Sequence, residues 1–147
     1  MQRARTRPLL LMLLLSFALL SFSTSAWAQD RVQVQVDVIV ASNDHSEMDR
    51  ALRSSASSLR AQFTNFTGFR LASSTQLTLA QSDTQQVALP GGSNATFRLQ
   101  SAKQGRYQIQ IAVRGGQTTF DAQQGGMIYV GGPRAPDGTI ILRIRVR

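Results

Sequence analysis

The clearest pattern in the chain is an alternation: Val32, Val34, Val36, Val38 and Val40 are separated by Gln33, Gln35, Asp37 and Ile39. Successive side chains of an extended chain point to opposite faces, so this segment predicts a strand with one wholly β-branched, buried face. The period then changes. Met48, Leu52, Ala56, Leu59 and Phe63 recur at three- or four-residue intervals, with Arg50, Arg53, Ser54, Ser57 and Arg60 between them. That spacing predicts one amphipathic helix about four turns long. Short polar residues from Ser42 to Ser46 precede it, Ser46 and Asp49 approximate a capping box, and Gly68 stands just past its end.

Beyond residue 68 the texture is that of short strands separated by turn residues. Phe69 and Leu71 suggest one strand, Leu77 and Leu79 a second, and Val87 and Leu89 a third, before Pro90-Gly91-Gly92 breaks the chain. Ala95, Phe97 and Leu99, then Tyr107, Ile109, Ile111 and Val113, flank Gln104-Gly105 as a hairpin would. Paired glycines frame an apolar run from Met127 to Val130. The chain ends in a strong strand in which Ile140, Leu142, Ile144 and Val146 face one way and Ile141, Arg143, Arg145 and Arg147 the other. The expected fold class is α+β: an N-terminal strand and one amphipathic helix packed on a largely antiparallel β-meander sheet or flattened sandwich.

The first 28 residues read differently. Arg3, Arg5 and Arg7 give a positive start, an apolar run extends from Leu9 to Phe22, and small polar residues lead to Ala26-Trp27-Ala28. These are the three regions of a secretory signal peptide, with the apolar run too short to span a bilayer comfortably. Cleavage is expected between Ala28 and Gln29. Adjacent arginines of a twin-arginine signal and the cysteine of a lipoprotein are both missing. The expectation is a Sec-type exported protein, periplasmic or extracellular, whose residues 29–147 form one small domain with no membrane span.

Export changes what the composition means. Three of the sixteen basic residues leave with the signal, and the remaining thirteen face eight acids, a net charge of +5 instead of +8. The only tryptophan leaves as well, which weakens a sugar-stacking role. No cysteine is present, so neither disulfides nor thiolate metal sites hold the fold together.

The chain has no catalytic signature. Its one histidine lies in Asp44-His45-Ser46, where adjacent side chains diverge and no G-x-S-x-G elbow exposes a serine; helix capping is the expected role. The acids Asp30, Asp37, Asp44, Glu47, Asp49, Asp83, Asp121 and Asp137 fall mostly at turns and helix starts rather than as a spaced pair. Asp44, Glu47 and Asp49 lack EF-hand spacing, and the glycine pairs match no phosphate-binding loop. No enzyme activity, metal or cofactor is therefore expected. Asn65-Phe66-Thr67 and Asn94-Ala95-Thr96 match a glycosylation sequon, a pattern without meaning in a bacterial chain.

The strongest surface candidate is the arginine stripe. Period two puts Arg143, Arg145 and Arg147 on one face, where with Arg134 they could contact an anionic partner. The simpler expectation is protection of an edge strand by positive charge. Nucleic acid is disfavoured, because exposed aromatics do not interleave with the stripe.

Phe69-Arg70-Leu71, Leu77-Thr78-Leu79, Leu89-Pro90-Gly91-Gly92, Gly131-Gly132-Pro133-Arg134 and Asp137-Gly138-Thr139-Ile140-Ile141 follow the strand and helix in order. Over nearly all of residues 29–147, this arrangement resembles uncharacterised bacterial exported, periplasmic β-rich proteins. Within it, Tyr129-Val130-Gly131-Gly132 is similar to a Gly-Gly turn in the β-domain of outer-membrane secretins. The resemblance implies a fold and a location and carries no activity. The resulting expectation is a non-enzymatic envelope protein that acts by protein contact at its sheet edges, with an envelope or secretion assembly as partner. The alternative is a small-ligand or anionic-polymer binding module using the Arg143 face and the loops around Gly131 and Arg134.

Overall fold

In the computed structural model, which describes residues 30–147, the first and last of the described strands lie side by side. Strand β1 (Arg31–Ser42) sits between β2 (Gly68–Ala80) and β8 (Gly138–Val146), and β7 (Met127–Ala135) completes an antiparallel sheet ordered β2-β1-β8-β7. Strands β3 (Thr84–Ala88), β4 (Asn94–Lys103), β5 (Arg106–Val113) and β6 (Gly116–Gln123) form a second sheet in sequence order. The meander expected from the turn spacing is real, but it builds only this second sheet. The first is assembled from both ends of the described chain.

The two sheets face each other across the main core. Val32, Val34, Val36 and Val38 from β1 and Leu142 and Ile144 from β8 are buried against Phe97, Leu99, Ile109 and Ile111 of the second sheet. Both alternating faces read from the sequence hold, because period two leaves a strand no other way to bury every second residue. Turn chemistry also holds at Gln104-Gly105, where φ is +51° and +74°, the left-handed pair that a tight hairpin between β4 and β5 needs.

The helix departs from expectation. The chain winds as a 3-10 segment, Arg50–Ser55, followed by a single short helix, α1 (Ala56–Gln62). Asp49 itself caps the start, its Oδ1 accepting from Ala51 N at 3.0 Å, so the capping box around Ser46 does not form. Met48 is instead held in extended form, bridging to Phe69 while Asp49 N donates to Phe69 O at 2.9 Å. A backbone bond to the sheet takes the place of the expected first turn. The apolar periodicity is nonetheless used: Leu52, Leu59 and Phe69 are buried with Ile39, Ala41 and Ile141 in a second cluster on the outer face of the first sheet.

Two further differences concern strands. Phe69 to Leu79 is not two strands but one, β2, which runs beside β1 for all thirteen residues, with a single register shift opposite Val38/Ile39 that leaves Ala72 without a partner. The terminal strand β8 is not an edge, since it lies between β1 and β7. Among the described residues no helix is long and apolar enough to cross a membrane. The expected signal peptide and its cleavage point between Ala28 and Gln29 lie outside the described residues.

Candidate functional site

The outer face of the first sheet is divided by what lies on it. Ile39, Ala41 and Ile141 are covered by the helical segment. At the boundary, two residues further along β1 and β8, the same face carries Asp37 and Arg143, which stand opposite each other in the ladder. Both are buried, at 4% and 6% exposure. Arg143 Nε donates to Asp37 Oδ2 at 2.8 Å and its Nη2 lies 2.7 Å from the same oxygen, while Nη1 donates to Ser55 Oγ at 2.8 Å. Asp37 Oδ1 accepts from the Ser74 hydroxyl and, at 3.3 Å, from the Gln35 amide. Burial pushes the Asp37 carboxyl up, but the Ser74 bond, the Arg143 bond and charge, and the Gln35 bond outweigh it and hold the group below its ordinary pKa.

This network overturns the expectation for Arg143. Its guanidinium does not meet an outside anion and protects no edge; it is consumed in tying β1, β8 and Ser55, the last residue of the 3-10 segment, together. Among the described residues, no buried side-chain nitrogen or oxygen lacks a partner. The other three arginines do not form one site either. Arg145 and Arg147 lie on the half of the face that the helix leaves uncovered, opposite Gln35 and bonded to Gln35 respectively. Arg134 is exposed at the other end of the sheet, opposite Thr139, in a separate cleft with Asp44 and Asp137.

A cleft of about 620 Å³ does bring His45 near Asp44, Glu47, Asp49 and Asp137, together with Arg50 and Arg70. Two of those carboxylates have structural partners. Asp49 Oδ2 accepts from Leu71 N at 3.2 Å, and Asp137 pairs with Arg70 at 3.3 Å. The His45 imidazole and carbonyl press against Gly68, which leaves no room there for a Cβ. Among the described residues no three His, Cys, Asp or Glu side chains are placed to hold a metal ion.

The sheet edges differ sharply from one another. Edge β3 has five residues, and edge β7 carries Gly131-Gly132-Pro133 with a register shift before Arg134, both devices that spoil a strand for pairing. Edge β6 bears Asp121. Edge β2 is the longest of the four, and its own register shift falls at Ala72 near one end, beyond which the pairing is regular. From Leu71 to Ala80 it contains no charge, proline or glycine. Its ends are closed by the protein: Phe69 bonds to residues 47 and 49, Leu71 N to the Asp49 carboxylate, and Ser82 N to Leu99 O. The turn after β2 also takes up the Ala80 carbonyl, which accepts from Asp83 N at 3.0 Å, so between these closures Ser73 to Leu79 pairs with β1 on one side only.

Nothing in the sequence marked β2 as special, because its edge position follows from pairing partners more than a hundred residues apart in the chain. The Asp37–Arg143 pair was equally hidden: Arg143 reads as one of three arginines in a stripe and Asp37 as one polar residue beside two glutamines, and only the β1–β8 register joins them. Comparison with family models, with curated proteins and with solved structures finds no match.

Proposed function

We propose that this is an exported envelope protein that works by protein contact, with the open edge of β2 as its docking strand. The observation that carries this reading is the seven-residue stretch Ser73–Leu79, an uncharged run of backbone with one side unpaired. A sheet edge of this kind recruits another extended chain through main-chain hydrogen bonds, and the neighbouring side chains then select the sequence. Ser74, Gln76 and Thr78 are exposed beside it, offering hydroxyl and amide groups instead of charge. The export half of the reading is supported by the residues before Asp30, whose arginines, apolar run and Ala26-Trp27-Ala28 fit a signal peptide.

A photo-reactive side chain at Gln76 should capture a protein in the native envelope, and the same group at Gln117 on β6 should not. Equal capture from both positions, or from neither, removes the β2 reading. Mass spectrometry of the native protein checks export: the first residue should be Gln29.

A second reading is favoured by Arg145 and Arg147 alone, which share the uncovered half-face and form no ion pair among the described residues. On this view the half-face holds an anionic polymer. Arg145→Gln with Arg147→Gln should then abolish salt-sensitive retention on an anionic matrix, and unchanged retention excludes it.

A further inference from the structure

Resting on the β2 reading, we propose that the occupant of this edge is a second copy of the same chain. The two β2 strands run antiparallel across a two-fold axis and join two four-stranded sheets into one of eight strands. Antiparallel pairing is the geometry that a two-fold axis imposes on identical strands, because each residue i that meets j requires j to meet i.

Three features of the edge fit this occupant. The first is length. The protein closes β2 at Phe69 and Leu71 on one side and at Ser82 on the other, leaving a window that the free stretch of a second β2 fills end to end. The second is facing. In the regular part of β2 beyond the register shift, Ser74, Gln76 and Thr78 lie on the outer face, while Thr75 and Leu77 stand opposite Val36 and Val34 of the inner face. A two-fold axis through Thr75 or through Gln76 pairs residues of equal parity, so outer hydroxyls and amides meet their own kind and inner residues meet inner residues.

Charge is the third feature. Residues 29–147 carry thirteen basic groups against eight acidic ones, so two copies repel each other through their net charge. Contact between copies therefore needs a surface without arginine, and the ten residues of β2 from Leu71 to Ala80 supply it. An acidic peptide, by contrast, would gain nothing along this edge. One strand pair is a small interface, so a dimer in rapid exchange is expected rather than a permanent one.

The absence of cysteine allows a clean test. Single variants Ser74→Cys, Thr75→Cys, Gln76→Cys and Thr78→Cys on β2, and Thr119→Cys on β6, are each oxidised mildly at high protein concentration. Covalent dimer should peak at Thr75 or Gln76, whichever lies on the axis, and fall on both sides. Thr119→Cys should stay monomeric. Sedimentation of the unmodified protein should show a concentration-dependent rise towards twice the monomer mass, lost in Gln76→Lys, whose circular dichroism should match the parent. A flat, low yield across β2 with a monomer at every concentration overturns the self-pairing, as does a peak at Thr119. The Gln76 photo-adduct separates the two readings. An adduct with a different envelope protein overturns self-pairing and leaves β2 as the docking strand; no adduct and no dimer overturns both.

Discussion

Removing Arg143 should cost much of this domain's stability, because it strands a buried carboxylate. In Arg143→Met the Asp37 oxygens keep Ser74 and Gln35 but lose both guanidinium contacts, and Ser55 Oγ loses its donor. Deleting one partner of a buried ion pair costs about 3–5 kcal/mol, since the surviving charge stays desolvated without compensation. For a domain of roughly 120 residues the unfolding entropy is about 0.25 kcal/mol/K, so the melting temperature should fall by roughly 12–20 °C. With a urea dependence of about 1.5 kcal/mol/M, the midpoint should fall by about 2–3 M.

The companion variants separate the pair from its surroundings. Asp37→Leu combined with Arg143→Met removes both charges and should recover most of the loss, because two apolar side chains fill the layer under the helix without a desolvation cost. Ser55→Ala removes one hydrogen bond to a charged group and should cost about 1.5–3 kcal/mol. Urea unfolding of the three variants forms the assay. A cost below about 1 kcal/mol for Arg143→Met would refute the argument, since it would mean that water reaches the pair and that the helical segment is not held by it.

The remaining predictions follow from the same contacts. Asp37 titrates below its unfolded value, so the native state binds fewer protons there; its contribution is whole at neutral pH and is lost as pH falls from about 4 through the lowered native pKa. Asp37→Asn should therefore flatten the acid limb of a urea-midpoint profile, and a profile parallel to the parent would contradict the shift. Gly68→Ala drives a Cβ into His45, and Gly138→Ala drives one into the Ala41 carbonyl at a φ of +148°, so each should cost roughly 2–3 kcal/mol or more by thermal unfolding. Asp49→Ala loses the cap on Ala51 N and orphans Leu71 N, for about 2 kcal/mol, whereas Asp49→Asn should recover only about half of it, because its single amide oxygen can accept from one of the two N–H groups.

How much of this was legible depends on the range of the interaction that decides it. The inward valines of β1, the outward arginines of β8 and the Gln104-Gly105 turn are local facts, settled by period and backbone sterics within a few residues. The helix was half legible. Its apolar spacing names the buried Leu52 and Leu59 correctly, but the competing backbone bond between Asp49 and Phe69 shortens it at the start, and that bond joins segments twenty residues apart. The buried ion pair lay furthest from view. Asp37 and Arg143 are 106 residues apart, and neither has a local neighbour that signals a partner.

The misplaced edge shows why. A strand at the end of a chain invites the expectation that it is also at the end of a sheet, and three arginines on it then look like protection against pairing. Here the first and last strands pair with each other, which moves both into the middle of the sheet and passes the exposed positions to β2 and β7. The stripe splits accordingly into one buried ion-pair partner and two residues on an open half-face. Protection must be sought on the strands that need it: β7 carries Gly131-Gly132-Pro133 and a register shift, while the middle of β2 carries neither charge nor proline. Sheets rarely leave seven neutral residues of edge unguarded. The contrast between β7, spoiled for pairing, and β2, kept fit for it, is what ties the docking reading to the topology of the fold rather than to a motif.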